Sequence, residues 1–357
     1  MILTVTLNAA LDLTYRVPHL VPHSSHRVRE VTERPGGKGL NVARVLGALG
    51  FRTTVTGFAG GETGRTLRAL LAADGDRGSG ESGEGRGVGK GAGPGRGAGN
   101  AGGAGTGGGA GTGGGAGTDG GSAAVTDALV EVAGPTRRTV GVVDESTGDT
   151  TQLNEPGPHI SPEEWEGFLT AYRGLLEQGV EVVALCGSLP PGVPVGAYAT
   201  LVREARTAGV PVLLDTSGEP LRRGLAARPD LVKPNADELA GITGTAEPLR
   251  AARAAQRRGA RAVAASLGAD GMLLVTQDGA WSAAVPERLA GNPTGAGDSA
   301  VAGLLSGLAE DLPWPERLAR AVALSAATVR APVAGEFDEQ TYARMLPSVR
   351  VRGAETP

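Results

Sequence analysis

The chain has 357 residues, 60 of them Gly and only 4 Phe, 3 Trp and 4 Tyr, and its 34 basic and 38 acidic side chains leave a formal charge of −4. That near-balance excludes a nucleic-acid binder that works through a cationic surface, while the single Cys186 beside four His excludes an internal disulfide framework and argues against a Cys/His zinc site. No apolar run reaches the ~18 residues of a membrane helix, and Met1 leads straight into Ile-Leu-Thr-Val-Thr rather than a basic, then apolar, leader, so a soluble cytoplasmic protein with no membrane partner is expected.

Residues 3–7 form a short apolar run and predict a first buried strand. Residues 13–17 and 27–32 follow as two half-exposed strands, polar on one side. They fit a small second sheet or an edge of the main one. Next comes Arg34-Pro35-Gly36-Gly37-Lys38-Gly39-Leu40-Asn41, leading into a helix on which Leu40, Ala43, Leu46 and Leu49 recur at helical spacing and Gly50 suits the stop. This is not a P-loop, because the four-residue gap between glycines and the Ser or Thr after Lys are both absent. Glycines at a helix entrance beside Lys38 suit the hydroxyls and phosphate of a substrate; an ordinary solvated lysine explains the motif equally well.

Residues 53–58 predict a second buried strand. Residues 78–121 then hold 24 of the 60 Gly, with Val88 as the one large aliphatic. Such a segment buries too little apolar area to offset the entropy of ordering it, and it lacks the collagen period. A Gly-rich stretch of this length spans roughly 35–40 Å, so its ends can meet at one fold. The expected division is one large α/β domain made of residues 1–75 and 122–350, a Gly-rich disordered insertion at 76–121 and a C-terminal tail at 351–357.

Arg137 and Arg138 precede a second pair of half-exposed strands, 139–143 and 150–153, separated by the turn residues Ser146, Thr147 and Gly148. Either arginine suits a phosphate, and either also suits plain surface. From residue 180 onward, apolar strands alternate with helices. Strand 180–185 leads into the turn Cys186-Gly187-Ser188-Leu189-Pro190-Pro191-Gly192, with Cys186 as inert packing. A helix at about 196–208, strands at 210–214 and 231–233, a helix opened by Asn235, a helix at about 247–258 and a strand at 262–266 complete the series. Strands buried on both faces, alternating with helices, indicate a parallel sheet with ligands beyond its carboxyl edge.

Three further motifs lie at that edge. In Lys233-Pro234-Asn235-Ala236-Asp237-Glu238, Asn235 and Glu238 have the spacing of a capping box, and Glu238 equally suits a magnesium-bound water. Ser266-Leu267-Gly268-Ala269-Asp270-Gly271 is a turn after a strand, suited to a nucleotide or to no ligand at all. The sharpest is Asn292-Pro293-Thr294-Gly295-Ala296-Gly297-Asp298-Ser299, which opens a helix. Its small residues let a phosphoryl group approach unpaired N–H donors, and Asp298 can take a proton from an attacking hydroxyl. An Asp that only caps the helix uses the same residues.

The order TVTLNAALDLTY, PGGKGLNVARVLGALG, GPTRRT, LNEPGP, LCGSLPPGVP, VKPNADEL, SLGADG and NPTGAGDS resembles the PfkB-type, ribokinase-like sugar kinases, in the branch of 1-phosphofructokinases and tagatose-6-phosphate kinases. The resemblance covers all but roughly residues 76–124. It implies an α/β fold: a Rossmann-like, mainly parallel sheet flanked by helices, with a small β-sheet lid at about 13–33 and 137–154. It implies ATP and Mg²⁺, with Asp298 as base and the Gly295, Ala296 and Gly297 amides as anion hole. Asp12, Gly36, Gly37, Lys38 and Asn41 match the sugar-binding positions, and Arg137 matches the arginine on the acceptor's phosphate. Asn235, the loop Ser266, Leu267, Gly268, Ala269, Asp270 and Gly271, and Gly297 match the ATP positions, and Glu238 the magnesium position. Two departures stand out: Asn8-Ala9-Ala10 replaces Asn-Pro-Ala, and Thr139 stands where Asn is common. The expected activity is ATP-dependent phosphorylation of fructose 1-phosphate to fructose 1,6-bisphosphate, with a homodimer formed through the lid. Tagatose 6-phosphate and fructose 6-phosphate are rival acceptors, and a non-catalytic sugar-phosphate-binding regulator is the rival class. A dinucleotide-dependent dehydrogenase is disfavoured, since no G-x-G-x-x-G follows the first strand.

Overall fold

A computed structural model of the chain describes residues 1–77 and 123–354. The expected Gly-rich insertion, from residue 78 on, and residues 355–357 therefore lie outside the described residues.

The first strand, β1 (Ile2–Thr6), is buried throughout. The chain leaves the core for β2 (Ala10–Val17) and returns through β3 (Glu30–Gly36), α1 (Lys38–Ala48), β4 (Thr53–Gly60) and α2 (Gly61–Arg77). After residue 122 come β5 (Val125–Asp127), β6 (Val130–Val132), β7 (Arg137–Asp144) and β8 (Thr150–Asn154). Helices and strands then alternate: α3 (Pro162–Leu176), β9 (Val182–Cys186), α4 (Ala197–Thr207), β10 (Val212–Asp215), α5 (Gly218–Ala226), β11 (Leu231–Val232), α6 (Ala236–Thr243), α7 (Pro248–Arg257) and β12 (Ala262–Ser266). The last part comprises β13 (Met272–Val275), β14 (Ala280–Ala284), α8 (Ala296–Ala309), α9 (Trp314–Thr328), α10 (Glu339–Met345) and β15 (Arg350–Gly353).

The large sheet runs β15-β14-β13-β12-β11-β10-β9-β1-β4-β5, with β6 also against β4. It is parallel from β12 to β5 and antiparallel beyond β12. The two-residue period of a strand sends alternate side chains to opposite layers. Val183 and Leu185 pack with Phe168, Tyr172 and Tyr198, while Ala184 between them faces the layer of Val42, Leu46, Val301 and Leu305. That second layer is made of α1, α8 and α9, and it places the first residues of α1 and α8 near the carboxyl edge of the central strands. Among the described residues, no helix is long and apolar enough to cross a membrane.

The half-exposed strands form a separate four-stranded sheet, β3-β2-β7-β8, rather than an edge of the main one. They run further than the polarity pattern indicates, except at the start of β3, which begins at Glu30 rather than at residue 27. β2 starts at Ala10 and β3 extends to Gly36, because Ala10 pairs with both Gly36 and Arg137. The strand thus runs into the glycine motif instead of ending before it. A second correction concerns the expected tail from residue 351: residues 350–353 are β15, paired with β14, and Val351 packs on the same apolar layer as Trp281. Four residues are too short a run for their alternation to be read without the partner strand.

Candidate active site

The centre of the site is the mouth of α8. Gly295 caps this helix at φ 85, a left-handed value that glycine adopts without strain, and a Cβ there would lie 2.9 Å from Ala334. The Ala296 N–H donates to the Pro293 carbonyl at 3.1 Å. That separates it from Gly295 and Gly297, whose amides have no acceptor among the described residues. Asp298, on the first turn, is only 8% exposed, and its Oδ2 accepts from Asn41 Nδ2 at 2.8 Å. Burial, and then the negative charge of Asp215, raise the Asp298 carboxyl to about 6, against the pull of Lys38, the Asn41 bond and Lys233.

Asp215 ends β10 and is 1% exposed. The ammonium of Lys38, the first residue of α1, lies 3.4 and 3.3 Å from its two oxygens, and that of Lys233 lies 3.5 Å from Oδ1. Burial works against the charge of Lys38, but Asp215, Asp298 and Glu238 together outweigh it and raise its pKa. Cys186, fully buried at the end of β9, has its thiol pushed far up by burial, as inert packing requires. Sequence reasoning assigned no role to Asp215 or Lys233. The available signal was positional: both sit where a parallel strand reaches its carboxyl end.

On the side of the small sheet, Asp12 Oδ1 accepts a hydrogen bond from Thr139 Oγ1. Gly36 lies against Asp12, where a Cβ would fall 2.0 Å from its Cγ, so only glycine fits while Asp12 keeps this place. Burial raises the Asp12 carboxyl, opposed by Thr139, Arg137 and Arg44. The two adjacent arginines part company. Arg138 grips the exposed Glu155 carboxylate, whereas the half-buried Arg137 donates to the Asn8 and Glu155 carbonyls at 3.1 and 3.2 Å. A cavity of about 290 Å³ lies here, lined by Asp12, Thr139, Arg34, Arg44, Thr294 and Ala334 among others.

A larger cavity, about 690 Å³, lies on the other side of the α8 mouth. Asn235, Ser266, Leu267, Gly268, Ala269 and Gly271 line it, together with Gly297. Asp270 does not line this cavity; its carboxylate pairs at 3.2 Å with Arg288, which does. The short 3₁₀ turn at Gly268–Asp270 points successive side chains in different directions. Asp298 lines neither cavity. The residues of its loop divide between them, with Ala296 and Gly297 lining the larger one and Asn292 and Thr294 the smaller.

Asn235 and Glu238 make the complete capping box, Glu238 N–H to Asn235 Oδ1 at 2.8 Å and Asn235 N–H to Glu238 Oε2 at 2.9 Å. Among the described residues no group of three or more His, Cys, Asp or Glu is arranged to hold a metal. Magnesium does not need one, since it keeps waters and takes one or two carboxylates plus substrate phosphates. Glu238 fits that mode: the cap uses one oxygen, its other oxygen has no partner among the described residues, and its charge acts on Lys38.

The chain matches the family described as pfkB family carbohydrate kinase over residues 4–75 and 122–341. It is 35% identical over 332 residues to the 1-phosphofructokinase of Rhodobacter capsulatus, covering 91% of this chain and 90% of that one. With the 1-phosphofructokinase of Bacillus subtilis it shares 30% over 356 residues, covering 98% and 99%. Among solved structures, phosphofructokinase-2 from Escherichia coli, in complex with potassium, is similar at a TM-score of 0.78 and 26% identity, covering 97% of this chain and 98% of that one.

Proposed function

We propose that this chain, which belongs to the pfkB family of carbohydrate kinases, transfers the terminal phosphoryl group of ATP to fructose 1-phosphate, giving fructose 1,6-bisphosphate. The observation that carries the reading is Asp298: a buried carboxylate at a glycine-lined helix mouth whose loop residues line two cavities of unequal size. The larger suits a nucleotide, and the smaller, beside Asp12, suits a sugar. Asp298 takes the proton of the attacking hydroxyl. The Gly295 and Gly297 amides and the positive end of α8 face the charge that spreads over the transferring group. Ala296 keeps its amide in the turn and contributes its small size. Lys38 and Arg137 bind the phosphate the acceptor already carries, and Asp12, Gly36, Gly37 and Asn41 bind its hydroxyls. Asn235, Ser266, Leu267, Gly268, Ala269 and Gly271 form the nucleotide wall. Initial rates with fructose 1-phosphate, fructose 6-phosphate and tagatose 6-phosphate test the acceptor. The highest kcat/KM is expected with the first, and a higher value with either other sugar overturns this assignment.

Glu238 would hold Mg²⁺, which when bound neutralises charge on the nucleotide's phosphates. Replacing it with Gln keeps the cap, because Gln also completes a capping box. Glu238→Gln is therefore expected to raise the magnesium concentration needed for half-maximal rate by about tenfold, with the melting temperature unchanged. An unchanged magnesium requirement removes Glu238 from this role.

The lid also carries exposed apolar side chains, Val28, Val31 at 55% and Leu153 at 59%, which support a homodimer formed through it. Light scattering of Leu153→Asp is expected to report monomer where the parent reports dimer. A monomeric parent, or a dimer that survives the substitution, places any contact elsewhere.

A further inference from the structure

β10 and β11 run side by side and parallel, with Leu214 opposite Val232, so the next residues, Asp215 and Lys233, emerge together at one edge of the sheet. Lys38 reaches the same edge from the first turn of α1. The start of a helix disfavours an ammonium, and the start of α8 close by disfavours it again. With a side chain 39% exposed, Lys38 also has an open path to water. Asp215 supplies the opposing attraction, at 3.3 and 3.4 Å. Lys233 depends on it more heavily: its side chain is 5% exposed, and Asp215 is its only ion-pair partner among the described residues. The Lys233 ammonium lies beneath the helix mouth, 3.6 Å from where a Cβ on Gly297 would be.

We infer that Asp215 is a positioning residue of the phosphoryl transfer, holding both ammonium groups at the mouth of α8 and setting the charge felt by Asp298. This rests on the kinase reading, with Asp298 as base. Without Asp215, one buried and one half-buried cation lose the ion-pair partner they share, and the Lys38 side chain is free to swing toward water.

The groups facing Asp298 are Lys38 and Asn41 from α1, Asp215 from β10, Lys233 beyond β11 and the neutral Cys186 from β9, with Glu238 acting on Lys38 from α6. Among them Asp215 opposes ionisation of the base and the two lysines favour it. Removing the negative charge therefore moves Asp298 ionisation to lower pH even as Lys38 swings away, because Asp215 acts on Asp298 more strongly than Lys38 does, and removing a lysine moves it to higher pH.

The test is kcat/KM against pH for the parent, Asp215→Asn, Lys233→Met and Asp298→Asn. The expected result is an acid limb in the parent that moves down by about half a pH unit or more in Asp215→Asn and up in Lys233→Met. KM for the phosphorylated sugar also rises at least about fivefold in Asp215→Asn. A purely structural Asp215 lowers the melting temperature and specific activity but leaves the midpoint in place, and that outcome overturns the inference. Should Asp215→Asn fail to fold, Lys233→Met decides alone: an upward move supports the inference and an unmoved midpoint overturns it. A limb that persists in Asp298→Asn marks failure of the base itself and takes the inference with it. An unmoved midpoint beside a limb lost in Asp298→Asn removes only the role of Asp215.

Discussion

Asp298→Asn is expected to lower kcat by about three orders of magnitude, with KM for the acceptor changed by less than about twofold. The substitution keeps the shape of the side chain and a partner for Asn41, and it removes only the capacity to take a proton. Its effect on stability has the opposite sign. The folded protein holds this carboxyl at about 6, above the ordinary carboxylate range. A group whose ionisation is raised by folding favours the fold while protonated, and that contribution is lost as pH climbs from the ordinary range through about 6. At pH 7 to 8 the parent thus holds a buried charge at a cost, and the Asn variant does not. The variant's melting temperature is expected to equal or exceed the parent's there, with the difference closing toward pH 4. An inactive variant of equal or greater stability is the signature of a catalytic group. Near-normal turnover removes the base, and a large drop in melting temperature at neutral pH identifies Asp298 as structural.

The second large effect is expected from Lys38→Met. The side chain keeps its length and apolar stem and loses its charge. A hydrogen bond assisted by charge contributes on the order of 1.5–3 kcal/mol, so KM for a phosphorylated ketohexose is expected to rise by about ten- to hundredfold. KM for ATP is expected to change little, and Lys233 remains to pair with Asp215, so the fold persists. A matching neutral sugar, tested at high concentration, supplies the control, because its binding has no phosphate to lose. A rise in the ATP constant alone would place Lys38 on the nucleotide side instead, and no rise in either would return it to ordinary surface.

The parts of this site visible in the sequence were those written locally. Gly295 to Asp298, and Gly36 to Asn41, announce themselves because a helix start that must admit a ligand needs small residues, and these lie next to one another in the chain. Asn235 with Glu238 was legible in the same way, although its geometry is that of a cap whether or not metal binds. The alternation of strand and helix from residue 180 onward was clear because buried parallel strands are continuous apolar runs.

What stayed hidden depended on pairing between distant segments. Asp215 and Lys233 are separated by the whole of α5, and only the adjacency of β10 to β11 brings them together. The division of labour between Arg137 and Arg138 follows from which one β7 turns toward Asn8, a matter of register rather than composition. The pairing of Asp270 with Arg288 was hidden for a smaller reason, as a turn offers no period from which a side chain's direction can be read.

β3 ends at Gly36 and α1 begins at Lys38, so a single glycine, at φ 110, joins the small sheet to the helix that carries the lysine. Two torsion angles are all that separate the canopy from the charge. Under the kinase reading, the element that covers the sugar and the element that carries the ammonium are thereby joined through one residue.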